Sequence, residues 1–310
     1  MDSVIISSIL FATITAGTPL IIVALGQLIA EKSGVLNLGA EGMMAMGAVV
    51  AFAVTLHSGN PWLGVLAGMA AGALMSLLFG FVVLTLMGNQ VATGLALSLF
   101  GVGLSAFIGK PYESDILPTV EAVRIPLLAD IPIIGPAFFN QQALVYFSWA
   151  LFAALVWFLY RSRSGLILRA IGESPSSAHS IGFSVIRIRY GATLFGGAMA
   201  GIGGAFLSIF YTPLWVEGMV SGRGWIAIAL VVFATWRPFR VLVGAYLFGG
   251  VMVSQLFLQG SGLDIEIPSQ FLSALPYIAT IVVLVIISRD KNTVRLNAPA
   301  SLGKPYRPES

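Results

Sequence analysis

The sequence contains no cysteine and only two histidines, His57 and His179, among its 310 residues. The lack of cysteine excludes disulfide bonds, thiolate nucleophiles and cysteine-ligated metals. The two histidines lie on opposite sides of the predicted topology, so no histidine-based zinc site is expected. The zinc-protease motif HExxH and the hydrolase motif GxSxG are missing as well. We therefore expect no metal site, no catalytic centre and no cofactor held by this chain.

A phosphate-binding loop is also missing. The nearest approach is GLSAFIGKP at residues 103–111, which has the wrong glycine spacing and Pro111 in place of serine or threonine. Few acids lie inside the apolar runs, which leaves little for coupling to protons or sodium. If the protein uses energy, ATP must therefore be bound by a partner.

Charged residues are scarce, at 9% of the chain, whereas hydrophobic residues make up 57%. Soluble domains carry about 25% charged residues. A large buried core does not explain this composition, because much of the surface of a chain of this length still faces solvent. The composition predicts a protein that lies in lipid. The basic residues sit at membrane edges, so the net charge of +3 does not indicate nucleic-acid binding.

Long apolar runs predict an all-α, polytopic membrane protein, since a spanning helix needs about 20 apolar residues. The first run contains Pro19, which predicts a kink, and lacks the basic start of a signal peptide. The seventh run is short for a full span. We predict about nine transmembrane segments, at roughly 4–30, 39–57, 61–87, 91–109, 143–160, 190–212, 222–236, 241–259 and 271–288.

The distribution of lysine and arginine predicts the orientation of these segments. If residues 161–189 are a cytoplasmic loop, 13 of the 16 basic residues fall on the cytoplasmic side. The N-terminus is then outside and the C-terminus inside, with a membrane domain over 1–288. Residues 110–142 form an outer loop, and the polar tail 289–310 is predicted to be disordered.

Two glycine-containing breaks interrupt the apolar pattern, at 31–42 on the inner side and at 215–225 on the outer side. They are offset by about 177–188 residues, as are the connections that follow them. This spacing predicts two four-segment halves of opposite orientation, joined by the fifth segment. Interrupted helices at matching positions of inverted halves are typical of transporters.

Polar residues at the breaks and segment ends are candidates for a substrate pathway. Asn37 can cap the following helix, and Glu41 lies in its first turn, where a negative charge is also favourable for structural reasons alone. Arg223 either pairs with Glu217 or meets substrate at the outer side. The turn chemistry of Asn89 and Gln90 and the packing of aromatic residues offer structural alternatives. The candidate pathway residues are Gln27, Asn37, Glu41, Asn89, Gln90, Arg223 and Trp225.

Residues 169–183, RAIGESPSSAHSIGF, form a polar, basic segment within this apolar chain. Ser174 can cap a helix, and Pro175 suits its first position. The sequence predicts a short helix through about Ser184 that lies across the inner face, the alternative being an ordinary solvated loop.

This segment resembles the coupling loop of permease subunits of ABC importers, in the family that carries branched-chain amino acids, simple sugars and nucleosides. The resemblance extends over nearly the whole chain and is greatest for the nucleoside-type branch. One difference is Ala234-Thr235, where many relatives have a glycine. Four blocks carry the resemblance, at 26–48 (GQLIAEKSGVLNLGAEGMMAMGA), 169–190, 221–238 (SGRGWIAIALVVFATWRP) and 275–289.

The resemblance implies a non-catalytic subunit of an importer in the bacterial inner membrane. A separate subunit would bind ATP and magnesium, and would dock on a coupling helix at 169–184. A second, similar permease subunit would complete the pathway, and a periplasmic or lipid-anchored protein would deliver nucleosides or a related purine-type or sugar solute. The alternative is an ion-coupled secondary transporter, which needs intramembrane acids beyond Glu41. The residues that match the coupling helix are Glu173, Ser174, Pro175, Ala178 and Gly182.

Overall fold

The computed structural model describes residues 2–260 and 297–307, together with positions 274, 275, 278, 279, 281, 282 and 285. Helices dominate this part of the chain. Helices α3 and α9 continue into π-helical turns, Phe81–Thr85 and Phe206–Tyr211. The α-helices are Asp2–Lys32 (α1), Ala40–Ser58 (α2), Pro61–Gly80 (α3), Gln90–Gly109 (α4), Ile134–Phe138 (α5), Ala143–Arg161 (α6), Arg163–Glu173 (α7), Pro175–Ser180 (α8), Val185–Ala205 (α9), Arg223–Phe233 (α10) and Pro238–Gly260 (α11).

Two short strands lie in the predicted outer loop. Val123–Arg124 (β1) pairs antiparallel with Asn140–Gln141 (β2). A 3-10 turn, Lys110–Tyr112, connects this loop to α4. The loop is therefore a small folded unit at one end of the helices.

Six helices of the described residues are long and apolar enough to cross a membrane, so the predicted count of nine is not confirmed. The predicted segment at 222–236 is only the 11-residue helix α10. It is short because the chain leading into it, residues 212–222, is not helical. The predicted segment 271–288 lies largely outside the described residues. The six spans are Val4–Lys32, Ala40–Ser58, Pro61–Thr85, Gln90–Tyr112, Ala143–Arg161 and Val185–Tyr211.

The helix starts follow the local capping chemistry. The Asn60 side chain accepts a hydrogen bond from the Trp62 N–H at 2.9 Å, and Pro61 occupies the first position of α3. Asn89 caps α4 in the same way through the Ala92 N–H at 3.0 Å. These side chains satisfy backbone donors that have no partner within the helix.

Glycines set the closest helix contacts. A side chain on Gly201 of α9 would collide with the backbone of Gly68 on α3. A reciprocal contact joins α1 and α11, where a β-carbon on Gly249 would lie 2.8 Å from the Gly17 nitrogen. Small residues allow this close backbone approach in membranes, where van der Waals packing drives association.

We expect Gly201→Ala to destabilise the protein by about 1–3 kcal/mol, because the new methyl group meets rigid backbone rather than a mobile side chain. The matched control is Gly191→Ala on the same helix, where an added β-carbon has no neighbour within 4 Å. It should be neutral or stabilising by about 0.5–1 kcal/mol. Thermal unfolding in detergent measures both. Equal midpoints for the two variants would contradict the packing argument.

The C-terminal segment 297–307 is folded against the helices, which differs from the predicted disorder of 289–310. The Ser301 N–H donates to the Gly172 carbonyl at 3.0 Å, at the end of α7, and Gly303 N–H donates to the Gly34 carbonyl at 3.2 Å. Lys32 Nζ donates to the Asn297 carbonyl at 2.9 Å. A polar segment is thus ordered because it satisfies carbonyl groups at helix ends.

Candidate functional site

The two breaks meet at Glu41. This residue is in the first turn of α2, as the sequence predicts, and is buried, at 7% exposure. Its Oε1 accepts from the Gly222 N–H at 2.8 Å, and its Oε2 accepts from the Gly224 N–H at 2.7 Å, at the start of α10. Helices α2 and α10, the half-helices that begin at the two breaks, therefore share one carboxylate at their positive ends.

This contact corrects the predicted separation of the breaks on opposite sides of the membrane. The non-helical segments 33–39 and 212–222 both lead to the same point, where α2 and α10 begin. Tight packing maintains the contact, since a β-carbon on Gly224 would lie 2.5 Å from the Glu41 Cα. The sequence could place each break but not their meeting, because Glu41 and Gly222 are far apart in the chain.

The first break is held by amide side chains. Asn37 does not cap α2 directly; its Oδ1 accepts from the Gly39 N–H at 2.8 Å, one residue before the helix. Gln90 Oε1 accepts from the Leu36 N–H at 2.7 Å and so ties the break to α4. The polar side chains at this break thus bind the backbone rather than stand free.

Arg223 does not form the predicted ion pair with Glu217 among the described residues. Its Nη1 donates to the carbonyls of Met219 at 2.9 Å and Val220 at 3.2 Å, and its guanidinium lies 5.9 Å from the Tyr211 ring centre. Backbone carbonyls at the turn before α10 are nearer acceptors than the exposed Glu217 carboxylate. Arg223 therefore stabilises the second break.

Of the remaining pathway candidates, Trp225 interacts with the Glu41 carboxylate through its backbone N–H. Gln27 is fully buried in α1, and neither of its side-chain polar atoms has a hydrogen-bond partner there. Asn89 is exposed and caps α4. Trp225 follows the contact glycine Gly224 and is 38% exposed.

A cavity of about 140 Å³ lies beside the junction. Trp215, which is fully buried, forms one wall, and Ser105 of α4 forms another. The sequence does not distinguish Trp215, because its local pattern does not differ from that of other aromatic residues. The lining residues are Glu41, Ala45, Val102, Ser105, Trp215, Val216, Gly218, Met219, Val220 and Ser221.

The far end of α10 is held by a second acid, Glu31 of α1. The Trp236 Nε1–H donates to Glu31 Oε2 at 2.6 Å. Thr235 and Trp236 both have positive φ angles, of 49° and 54°, which non-glycine residues rarely adopt. Arg240 Nη1 donates to Thr235 Oγ1 at 2.9 Å and supports this turn. Helix α10 is therefore fixed at both ends by acidic residues of the other half of the chain.

The predicted coupling helix at 169–184 is divided into two helices. Helix α7 ends at Glu173, and α8 starts at Pro175 with Ser174 as its cap, as the sequence predicts. Helix α8 ends at Ser180 rather than near Ser184, because the chain turns through Gly182, whose φ is +94°. The result is an elbow of two helices that precedes α9.

Ala178 points into the protein, at 2% exposure, and packs against Ile171 and Val185. Its side chain is therefore not available to a docking partner. The exposed face of α8 and the following turn are formed by other residues, of which Ile181 is 70% exposed. The exposed residues of this face are Ser176, Ser177, His179, Ser180, Ile181 and Gly182.

Arg189, at 1% exposure, joins the elbow to the first break. Its Nε donates to the Ser33 carbonyl at 3.0 Å, and its Nη2 donates to Ser301 Oγ at 2.9 Å. Ser301 Oγ in turn donates to the Gly172 carbonyl at 2.7 Å. The sequence marked Arg189 only as one of the basic residues of a loop.

Within the described residues, no group of three or more histidine, aspartate or glutamate side chains could hold a metal ion. The Glu41 carboxylate at the junction has both oxygens occupied by backbone donors. This arrangement is suited to holding two half-helices together and not to acid–base or metal chemistry.

Comparison with known proteins gives a consistent assignment. Residues 9–287 match the family described as "Branched-chain amino acid transport system / permease component". The chain is 40% identical to the putative glucose ABC transporter permease protein TsgC13 of Haloferax volcanii, over 98% of both chains. It is 35% identical to the guanosine ABC transporter permease protein NupQ of Bacillus subtilis, over 99% of this chain and 98% of the relative.

The nucleoside ABC transporter permease protein NupC of Lactococcus lactis is 33% identical, over 87% of this chain and 88% of the relative. These relatives are non-catalytic membrane subunits, which confirms that this chain is not an enzyme. The resemblance to the nucleoside-type branch is confirmed as well. The match to 9–287 and the helices long enough to cross a membrane show that the chain belongs to the ABC transporter permease family of branched-chain amino acid type.

Proposed function

We propose that this permease carries nucleosides across the bacterial inner membrane and that a separate ATP-binding subunit drives it by docking on α8. The observation that carries the proposal is the junction at Glu41, where two half-helices start from one point inside an ABC permease fold. Interrupted helices that meet near the midplane mark the substrate site in many transporters.

The names of the relatives support the choice of cargo. Two of those described act on guanosine or on nucleosides, and the third is named for glucose. Nucleosides and glucose both contain a polyhydroxylated sugar ring. Nucleosides are the proposed cargo, and a simple sugar is the second candidate because the glucose relative has the higher identity.

The pathway would pass the cavity beside the junction. Because both Glu41 oxygens are occupied, we assign Glu41 to holding the half-helices and not to contacting cargo. Near the junction, Trp215 and Trp225 have side chains suited to stacking, and Ser105 has one suited to hydrogen bonding. The other candidates lie around this path. Asn89 caps α4, Gln90 binds the backbone of the first break, and Gln27 is buried in α1.

Reciprocal packing supports two inverted halves. Helix α9 packs on α3 as α1 packs on α11, and α9 packs on α2 as α1 packs on α10. The glycines at two of these contacts correspond, since Gly17 and Gly201 are 184 positions apart and Gly68 and Gly249 are 181 apart. These separations lie within the offset between the two breaks.

The ATP-binding subunit would contact the exposed face of α8, with Glu173 and Ser174 at its edge and Gly182 in the following turn. Movement of α8 would reach the first break through Arg189 and Ser301. A second, similar permease would complete the pathway, and a substrate-binding protein would dock on the outer loop 110–142. The orientation follows from the basic residues, with the C-terminus in the cytoplasm.

We expect Ile181→Asp to abolish ATP-dependent uptake, because a charge on the exposed turn after α8 would be buried unpaired at the subunit contact. Uptake of radiolabelled guanosine and of glucose is measured in vesicles that contain the complete transporter. Ala178→Arg is unsuitable, since Ala178 is buried within the chain. The matched control for co-purification with the ATP-binding subunit is Ile116→Asp in the outer loop, where the side chain is 72% exposed. It is not a control for uptake, because this loop is the proposed docking surface of the substrate-binding protein.

The Ile116 variant should still co-purify with the ATP-binding subunit, whereas the Ile181 variant should lose it. Uptake of glucose without uptake of guanosine would overturn the cargo proposal and leave the docking proposal intact. Uptake that persists without ATP and is abolished by an ionophore would establish the alternative of ion coupling.

A further inference from the structure

A second cavity, of about 340 Å³, lies where α1, α6 and α7 end against the C-terminal segment. Two cations, Lys32 and Arg169, line it, together with the acid Glu173. The other lining residues are Leu159, Tyr160, Leu166, Ala170, Asn297 and Pro299. The cavity therefore combines basic groups with an apolar wall.

The two cations have unused hydrogen-bond donors. Arg169 Nε is buried and has no partner among the described residues, and its guanidinium lies 5.5 Å from the Tyr160 ring centre. Lys32 Nζ uses one of its three donors, on the Asn297 carbonyl. In the described part of the chain, no carboxylate, including that of Glu173, lies within ion-pair distance of either cation. The donors are thus available to an anion.

The wider charge balance also favours an anion. The charged groups that act electrostatically on Lys32 are Glu31, Arg169, Glu173 and Arg237. Glu31 is fully buried, and one of its oxygens accepts from Trp236. Among the described residues, the cations Lys32, Arg169 and Arg237 outnumber the one exposed acid of this group, Glu173.

The position of the cavity indicates which anion fits. Trp157 and Tyr160 are 63% and 50% exposed at the end of the apolar helix α6, immediately before Arg161. Exposed tryptophan and tyrosine at the end of a span mark the level of the lipid headgroups. Leu166, which is 58% exposed, continues the apolar surface at the rim. A soluble anion would make no use of this wall, whereas a phospholipid has both a phosphate and an acyl chain.

We propose that this cavity binds the headgroup phosphate of an anionic phospholipid, with Lys32 and Arg169 as the phosphate ligands and with Tyr160 and Leu166 against the lipid chains. Basic pockets between helices at the cytoplasmic face are suited to such headgroups. The proposal goes beyond transport and does not depend on the identity of the cargo.

The test is native mass spectrometry of the full-length chain purified with its partner subunits and exposed to phosphatidylglycerol or phosphatidylcholine. We expect one phosphatidylglycerol to be retained in preference to phosphatidylcholine. Arg169→Gln and Lys32→Gln should each weaken this binding by about fivefold, because this is what one lysine or arginine near an anionic lipid surface contributes to the affinity. The control is Arg163→Gln, an exposed arginine of α7 that does not line the cavity.

Equal retention of phosphatidylglycerol by wild type and both cavity variants would overturn the proposal. Displacement of the lipid by excess inorganic phosphate would identify a site for small phosphates instead. Loss of the ATP-binding subunit from both variants, with lipid binding unchanged, would make the cavity a protein contact. Guanosine uptake by the same preparations reports on transport separately.

Discussion

Replacing Glu41 with leucine is expected to lower the stability of the folded permease by about 3–6 kcal/mol, since each hydrogen bond to a charged group contributes about 1.5–3 kcal/mol. Leucine fills a similar volume but leaves the N–H groups of Gly222 and Gly224 without an acceptor. Helix α10 would then lose its attachment to α2. Transport should be lost, and the midpoint of thermal unfolding in lipid nanodiscs should fall.

Glutamine at this position distinguishes structure from substrate binding. Glu41→Gln keeps one acceptor oxygen, so about half of the stability loss is expected. The control is Glu217→Gln, which removes an exposed carboxylate from the second break. An unchanged unfolding midpoint in the leucine variant would contradict a stabilising role of the hydrogen bonds between Glu41 and the start of α10. Normal stability with lost transport would assign Glu41 to contact with cargo.

Replacing Arg189 with leucine is expected to release the C-terminal segment 297–307. The variant loses hydrogen bonds to the Ser33 carbonyl and to Ser301 Oγ, of roughly 1.5–3 kcal/mol each. It also leaves a buried carbonyl without its donor. When cleavage follows the population of the locally opened state, lowering the free energy of opening by about 1.4 kcal/mol raises the cleavage rate about tenfold. Limited proteolysis should therefore cleave the tail at least about tenfold faster in this variant.

The control is Arg187→Leu, which removes the same charge from an exposed position on the same helix. It should leave the cleavage rate unchanged. Equal cleavage of the two variants would show that the tail is held by its other contacts, such as that of Lys32 with Asn297. Rapid cleavage of the wild-type protein would show that the segment is not packed in solution.

Local features of the sequence were predicted well. Ser174 caps α8 and Pro175 starts it, and Glu41 lies in the first turn of α2. Each of these depends on a few neighbouring residues, because capping satisfies donors within one turn. The class of membrane protein was predicted from composition. Long apolar segments in lipid must form helices, because a helix satisfies its backbone hydrogen bonds within the segment.

The direction and the partners of individual side chains were not predicted. Ala178 was assigned to a docking surface, yet it packs on Ile171 and Val185, because the direction of a side chain on a short helix depends on its neighbours. Arg223 was expected either to pair with Glu217 or to meet substrate, and it instead donates to the carbonyls of Met219 and Val220. The tail was predicted to be disordered because its composition is polar, and composition does not show that it fits the ends of α1 and α7.

The sequence by itself determined an all-α membrane permease and the positions of two breaks. Only the tertiary structure decided that both breaks meet at Glu41 and that Arg189 ties the elbow to the first break. The physical reason is the range of the interactions. Apolar periodicity and helix caps act within a turn or two, whereas a carboxylate shared by two half-helices requires the whole fold to bring residues 41 and 222 into contact.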